Sequence, residues 1–168
     1  MISLALLVLA AAPAEVEVLV RDVVPTREGM EAVLLAPAAE EVVLPIFVGP
    51  AEGNAIRMKL ERRTPPRPLT HDLLDTMIRT LGGKVTRVYI DDLKRETFLA
   101  KIFVLQNGKT LEIDARPSDS IALALRCNAP IFTARRVLDE AGVTRETLEA
   151  PRPSPKKRLA PGGSSEQL

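Results

Sequence analysis

Between two β-rich runs, Phe98 to Leu105 and Lys109 to Asp114, stands the dipeptide Asn107-Gly108, and it fixes a strand pairing before any other element is placed. A type I′ hairpin loop needs positive φ at both central residues, which asparagine and glycine tolerate best. Counting outward sets Gln106 opposite Lys109, Val104 opposite Leu111, Ile102 opposite Ile113 and Lys101 opposite Asp114. Side chains alternate along a strand, so Ile102, Val104, Leu111 and Ile113 share one face, expected in the core. Lys101, Phe103, Glu112 and Asp114 point the other way.

The remaining elements follow from changes of period. Val16, Val18 and Val20 alternate with polar residues in a strand reaching about Val24, and Pro25 to Gly29 makes a turn. Met30 to Leu35 and Val42 to Val48 are two more strands, with Pro45 marking an edge or a bulge in the second. After Gly49 the spacing becomes helical: Pro50 opens a helix through Leu60, stopped by the arginines and prolines from Arg62 to Pro68. Thr70 is placed to cap a second helix whose apolar stripe is Leu73, Leu74, Met77, Ile78 and Leu81, ended by Gly82-Gly83. Val85 to Asp91 is a strand. Pro117 opens a helix that is apolar nearly all round from Ile121 to Leu125, and so is expected to be buried. Pro130 to Phe132 is a short strand, and a last helix containing Val137 and Leu138 closes at Gly142. Strands and helices come in blocks without strict alternation. The predicted class is therefore a single α+β domain, with helices packed on a largely antiparallel or mixed sheet.

At 168 residues, such a domain can bury roughly 70% of its unfolded surface, so it needs no disulfide or structural metal. Cys127 stands alone, which excludes an intramolecular bridge and a cysteine-based zinc site. With 23 basic and 22 acidic residues there is no global basic field of the sort that coats DNA. The ends differ from the body. Residues 1–14 carry no charged side chain and read as a signal peptide or an apolar leader, with Ala12-Pro13-Ala14 offering small residues at a cleavage point, although no Lys or Arg opens the run. Export to the periplasm follows if that reading holds; otherwise the chain is cytoplasmic. Residues 15–149 form the domain, and residues 150–168 are a basic, Pro-rich tail expected to be disordered. The tail is either a phosphate-seeking tether or a solubilising extension.

Familiar catalytic signatures are absent: no phosphate-cradling Gly-rich loop, no Gly-x-Ser-x-Gly and no His-Glu-x-x-His. One histidine, His71, rules out a histidine-rich metal site within one chain. What remains is oxygen chemistry, suited to a hard cation such as Mg or Mn. The densest polar segment is Asp114-Ala115-Arg116-Pro117-Ser118-Asp119, where a strand end meets a helix start. Asp114 or Asp119 could ligate a metal or act as a base, with Arg116 clamping phosphate. Alternatively Asp114 pairs with Lys101 across the hairpin while Ser118 and Asp119 satisfy the helix start. Arg67-Pro68-Leu69-Thr70-His71-Asp72 is the second segment, either a capped helix or a general acid–base site at His71, since imidazole changes charge near neutrality. Asp91-Asp92 faces two sides of a strand unless a bulge intervenes, and Glu52 is an acidic residue in a first helical turn.

Taken in order, Leu44-Pro45-Ile46-Phe47-Val48-Gly49, Asn54-Ala55-Ile56, Arg67 to Leu74, Ile113 to Asp119, Ile121 to Arg126 and Pro130-Ile131-Phe132 resemble the bifunctional nuclease domain family, over about residues 16 to 143. The family is described as having DNase and RNase activity. The resemblance implies an α+β domain that self-associates as a homo-oligomer and hydrolyses phosphodiester bonds of DNA, RNA or both. It also selects the two polar segments as the site: His71, Asp72, Asp114 and Asp119 as catalytic residues, Arg67, Arg116 and Ser118 toward substrate, and Asp114 and Asp119 as ligands of the cation. A non-catalytic module binding a nucleotide, an oligonucleotide or a protein through the same surface is the alternative. The resemblance gives no reason to expect integral membrane association once any leader is removed. Gly53 and Ser120 stand where the family more usually has alanine.

Overall fold

The computed structural model describes residues 14–144 and 147. The leader read over residues 1–14, apart from Ala14, and the basic tail over 150–168 lie outside the described residues. The elements are β1 (Glu15–Pro25), β2 (Glu31–Ala36), β3 (Val42–Val48), α1 (Pro50–Leu60), α2 (Thr70–Thr80), β4 (Gly83–Lys94), β5 (Thr97–Gln106), β6 (Lys109–Ala115), α3 (Pro117–Cys127), β7 (Ile131–Ala134), α4 (Arg135–Ala141) and β8 (Val143–Thr144). The strands form one open sheet in the order β6-β5-β4-β7-β1-β2-β3-β8. Every neighbouring pair is antiparallel except β4 and β7. That parallel pair arises because the chain leaves β4 through the β5–β6 hairpin and returns along α3, a crossover long enough to reverse direction. The domain is thus α+β with a mixed sheet, the expected class.

The hairpin has the register counted from the sequence, with Lys101 opposite Asp114 and Gln106 opposite Lys109. Asn107 and Gly108 have φ of 50° and 75°, as the type I′ loop requires. α3 is the central helix. Ile121, Ala122, Leu123 and Ala124 are all fully buried, against Val88 and Ile90 of β4 and Ile56 of α1 in one core. Its two alanines let α1 and the sheet approach closely, and Asn128, in the left-handed region at φ 51°, ends it. Pro45 sits where β3 has β2 on one side only, because β8 pairs no further than Val42 and Val43, so an edge proline costs no ladder bond.

Three expectations are corrected. Leu111 and Ile113 share a face with buried Val104 and Ile102, yet both are exposed, because β6 is the outermost strand and no helix reaches over it. The apolar stripe of α2 faces outward: Leu73, Leu74, Met77 and Leu81 are exposed and Ile78 is half-buried. The polar face of α2, carrying His71, Asp72 and Asp75, is turned toward α3. β4 runs on past Asp91 to Lys94, and a register shift between Ile90 and Asp92 puts a bulge at the acidic pair. Asp91 then meets Lys101 while Asp92 meets Lys94 and Arg136, so the pair is divided between separate partners.

Candidate functional site

The second polar segment forms the start of α2 by a different device from the predicted one. Leu69, not Thr70, is the cap residue: it is extended, and Thr70 is the first helical residue. Asp72, three residues on, accepts the Leu69 N–H at 2.8 Å, and this is the bond that closes the helix end. The other Asp72 oxygen accepts from Arg126 Nε at 2.6 Å. Arg126 is only 4% exposed and also donates to the Ala122 carbonyl, so a buried guanidinium anchors α2 to the last turn of α3. Burial pushes the Asp72 carboxyl up, but the Leu69 N–H and Arg126 outweigh it and hold it below the ordinary carboxylate range.

The first polar segment bends from β6 into α3 at Arg116, which is extended, with Pro117 as the first helical residue. Asp119 accepts a bidentate pair from Arg116, Nε to Oδ2 at 2.7 Å and Nη2 to Oδ1 at 3.0 Å. His71 Nε2 lies 3.2 Å from Asp119 Oδ1. Arg116 holds the Asp119 carboxyl below its ordinary value, against burial and with help from His71. An ionised carboxylate only accepts, so Nε2 carries the proton and Nδ1 is the basic ring nitrogen. Arg116 Nη2 also reaches Glu52 Oε1 at 3.3 Å. Glu52, His71 and Asp119 lie in the first turns of α1, α2 and α3, so three helix N-termini converge on the exposed Arg116. Their dipoles offset the negative charge of the two carboxylates.

The two far-apart polar segments do meet, through His71 and Asp119. The structure does not bring every candidate there. Asp114 sits on β6 on the face of Lys101 and Phe103, opposite the face on which the helices pack, because alternation along the strand reverses it from Ile113. Lys101 pairs with Glu112 at 2.6 Å and Asp91 at 3.3 Å, and no ion pair to Asp114 forms among the described residues. Ser118 is buried and makes no capping bond at α3, and Arg67 is exposed just before α2. A divalent cation does not fit this arrangement. Asp72 and Asp119 are already neutralised by guanidinium groups, Asp114 faces away, and no group of three or more His, Cys, Asp or Glu residues among the described residues could hold a metal.

Sequence reasoning missed Arg126 and the basic α1–α2 connection. Arg126 looked like a polar residue at the end of a buried helix, and only its position beside Asp72 gives it meaning. Lys59, Arg62 and Arg63 line a shallow cavity of about 440 Å³ with Leu125 and Asn128, next to the last turn of α3. With Arg67 they make the α1–α2 connection basic, a bias visible in the sequence but read there only as a helix stop. Burial and the Asp75 carboxylate push the Cys127 thiol up to about 12, which keeps it protonated near neutral pH.

Fold and site together give an open mixed sheet carrying a histidine–carboxylate–guanidinium cluster at three helix starts. Residues 33–146 match the bifunctional nuclease domain model, and the chain belongs to that family. β1 lies before the matched residues yet stands in the middle of the sheet, between β7 and β2. Among its relatives, an uncharacterized protein of Mycobacterium tuberculosis (strain ATCC 25618 / H37Rv) is 42% identical over 110 residues, 66% of this chain and 65% of that protein. Bifunctional nuclease 1 of Oryza sativa subsp. japonica is 26% identical over 114 residues, 66% of this chain and 34% of that protein. Bifunctional nuclease 2 of the same plant is 28% identical over 114 residues, again 66% of this chain and 35% of the relative. The match thus covers about two thirds of the mycobacterial relative and about a third of the plant proteins. Among the described residues, no helix is long and apolar enough to cross a membrane.

Proposed function

We propose that this chain is a nuclease acting on phosphodiester bonds of DNA, RNA or both, with His71 and Arg116 at the reacting centre. The observation that carries this is the chain of contacts from His71 through Asp119 to Arg116 and Glu52, which joins segments 48 residues apart at three helix N-termini. Asp119 fixes the imidazole, as a carboxylate does in hydrolytic triads; Nδ1 would take a proton from the water that attacks phosphorus, and the imidazolium would return it to the sugar oxygen that leaves as its P–O bond breaks. Arg116 is 67% exposed and carries further N–H donors for a phosphate oxygen, where it would balance the charge on the phosphoryl oxygens in the transition state. Lys59, Arg62, Arg63 and Arg67 supply a path for the rest of the backbone. Asp72 is a positioning residue here, since both its oxygens are engaged in orienting α2.

The family match and the names of the plant relatives support a nuclease; the charge-compensated carboxylates favour one rival, a module that binds nucleic acid without cutting it. Purified protein is incubated with labelled single-stranded DNA and RNA, with and without EDTA, beside His71→Gln and Arg116→Met. Each substitution is expected to lower the cleavage rate by about 100-fold or more while the fold persists. Equal cutting by folded variants removes the assignment. Salt-sensitive binding without turnover selects the binding module. Activity that EDTA abolishes, and that Asp114→Asn abolishes too, would restore Mg or Mn held at Asp114.

A further inference from the structure

In a lone molecule α2 is inside out. A surface helix normally turns its apolar stripe to the core and its charges to water. Here Asp75 has a side chain 14% exposed, while Leu73 is 55%, Met77 51% and Leu81 69% exposed. Beside this helix lies β6, an edge strand exposed on both faces. The α2 stripe and Leu111 and Ile113 belong to one side of the sheet. A Cβ built on Gly83 would be 3.1 Å from both Ile78 and Val104, so the last turns of α2 reach the β4–β5 pair, and Leu111 is the next residue outward from Val104. Among the described residues, six of the ten exposed large hydrophobic residues fall in α2, its C-cap Leu81 and β6. Clustering of that kind marks a binding surface and not scattered surface leucines.

We propose that this face is covered by a second copy of the chain, with β6 paired antiparallel to β6 of the partner about a twofold axis through Leu111. The edge itself argues for a copy of the same chain. A two-residue hairpin loop makes Gln106 and Lys109 a hydrogen-bonded pair, so Lys109, Leu111 and Ile113 bond back to β5. The N–H and C=O groups of Thr110, Glu112 and Asp114 then point outward, unpaired among the described residues. A twofold axis normal to the sheet matches residues of the same face. Centred on Leu111, it sets leucine against leucine and Thr110 against Glu112, with Ile113 beside the stem of Lys109. Centred on Glu112 it would oppose two carboxylates, and centred on Ile113 it would oppose Glu112 and Asp114. The charge pattern therefore selects one long register. In that register one sheet runs through both copies, and the two α2 stripes stand on the same side of it, flanking the leucine pair. This surface stands apart from the nuclease reading and does not depend on it.

The test uses the full chain in light scattering after size exclusion, from about 1 to 100 µM, alone and as Met77→Glu and Leu111→Lys. Wild type is expected at twice 18.3 kDa and both variants at 18.3 kDa, with unchanged circular dichroism. In a Cys127→Ser background, Leu111→Cys is expected to form an intersubunit disulfide under mild oxidation, because a non-hydrogen-bonded pair sets Cα atoms about 4.5 Å apart. Glu112→Cys, which faces Thr110, is expected to cross-link at least 10-fold more slowly. A wild type that stays monomeric at 100 µM overturns the proposal. So does a dimer that survives both charge substitutions, or one in which Glu112→Cys cross-links as fast as Leu111→Cys.

Discussion

Removing the charge of Asp72 should destabilise the domain more than removing its partner Arg126 does. The reason is the difference in their surroundings: the Arg126 side chain is 4% exposed and that of Asp72 is 32% exposed. Asp72→Asn keeps a carbonyl oxygen for the Leu69 N–H but leaves a buried guanidinium without its counter-charge. Breaking a buried pair in that way costs about 3–5 kcal/mol, and the partial exposure of Asp72 places this pair near the lower end, about 3 kcal/mol. Arg126→Met retains most of the stem packing and leaves a carboxylate that water can reach, so about 1–2 kcal/mol is expected. Urea unfolding of the two single variants and the double variant, followed by circular dichroism, measures all three values. The first should lower the midpoint of thermal unfolding by roughly 10 °C. The double variant should be more stable than the sum of the singles predicts, by about 1 kcal/mol or more. An Asp72→Asn protein within about 0.5 kcal/mol of wild type would show that water screens the pair, and the positioning role given to Asp72 would fall with it.

Acid should find the same cluster. Asp72 and Asp119 are held below their ordinary range in the fold, so their contribution is complete above about pH 5 and disappears as pH falls through the folded-state values, below about pH 4. Stability measured in urea between pH 3 and 7 should drop at the acid end, and Asp119→Asn should flatten that drop; a parallel curve would contradict it. Gly53→Ala should destabilise by about 1–3 kcal/mol, because the added Cβ would come within 2.5 Å of the Glu31 side chain, which Arg57 holds in place. Denaturant midpoints decide it, and a neutral effect would mean that Glu31 moves freely. Native Cys127, with its thiol pushed up to about 12, should react with iodoacetamide at pH 8 about 1,000-fold more slowly than in urea. Equal rates would place the thiol in open solvent.

Local signals in the sequence reached far into the fold, and failed where a position depends on distant neighbours. Asn107-Gly108 contains its own geometry, so the β5–β6 register could be counted residue by residue. The all-round apolar character of Ile121 to Leu125 likewise announced a central helix. The stripe on α2 was equally plain, but amphipathicity says only that two faces differ, not which one meets the protein. Leu111 and Ile113 misled for a related reason: alternation gives the face of a strand, whereas exposure depends on its place in the sheet order, and that order is set by β7 returning beside β4. For the site, residue types were legible and contacts were not. The hairpin register already separated Asp114 from Ile113 by face, so the division between Asp114 and Asp119 could have been foreseen. The meeting of His71 with Asp119, and the role of buried Arg126, required coordinates.

The orientation of α2 ties the candidate site to the surface above it. With Asp72 bound to Arg126, Asp75 near Cys127 and His71 on Asp119, the inner face of α2 is occupied by polar contacts of modest net value in partial solvent. The larger apolar contribution that usually seats a helix, about 25 cal/mol for each Å² removed from water, is directed away from its own domain. Covering the outer face would add apolar burial to the polar contacts that already anchor the helix. His71 sits in its first turn, so whatever covers Leu73 and Met77 also steadies the imidazole against Asp119. Covering the stripe would therefore raise the population of the arrangement in which His71 bonds Asp119, without adding any residue to the site. If a second copy is the cover, the rate per chain should rise with protein concentration through the dimerisation range. Met77→Glu should abolish that rise while leaving His71 in place.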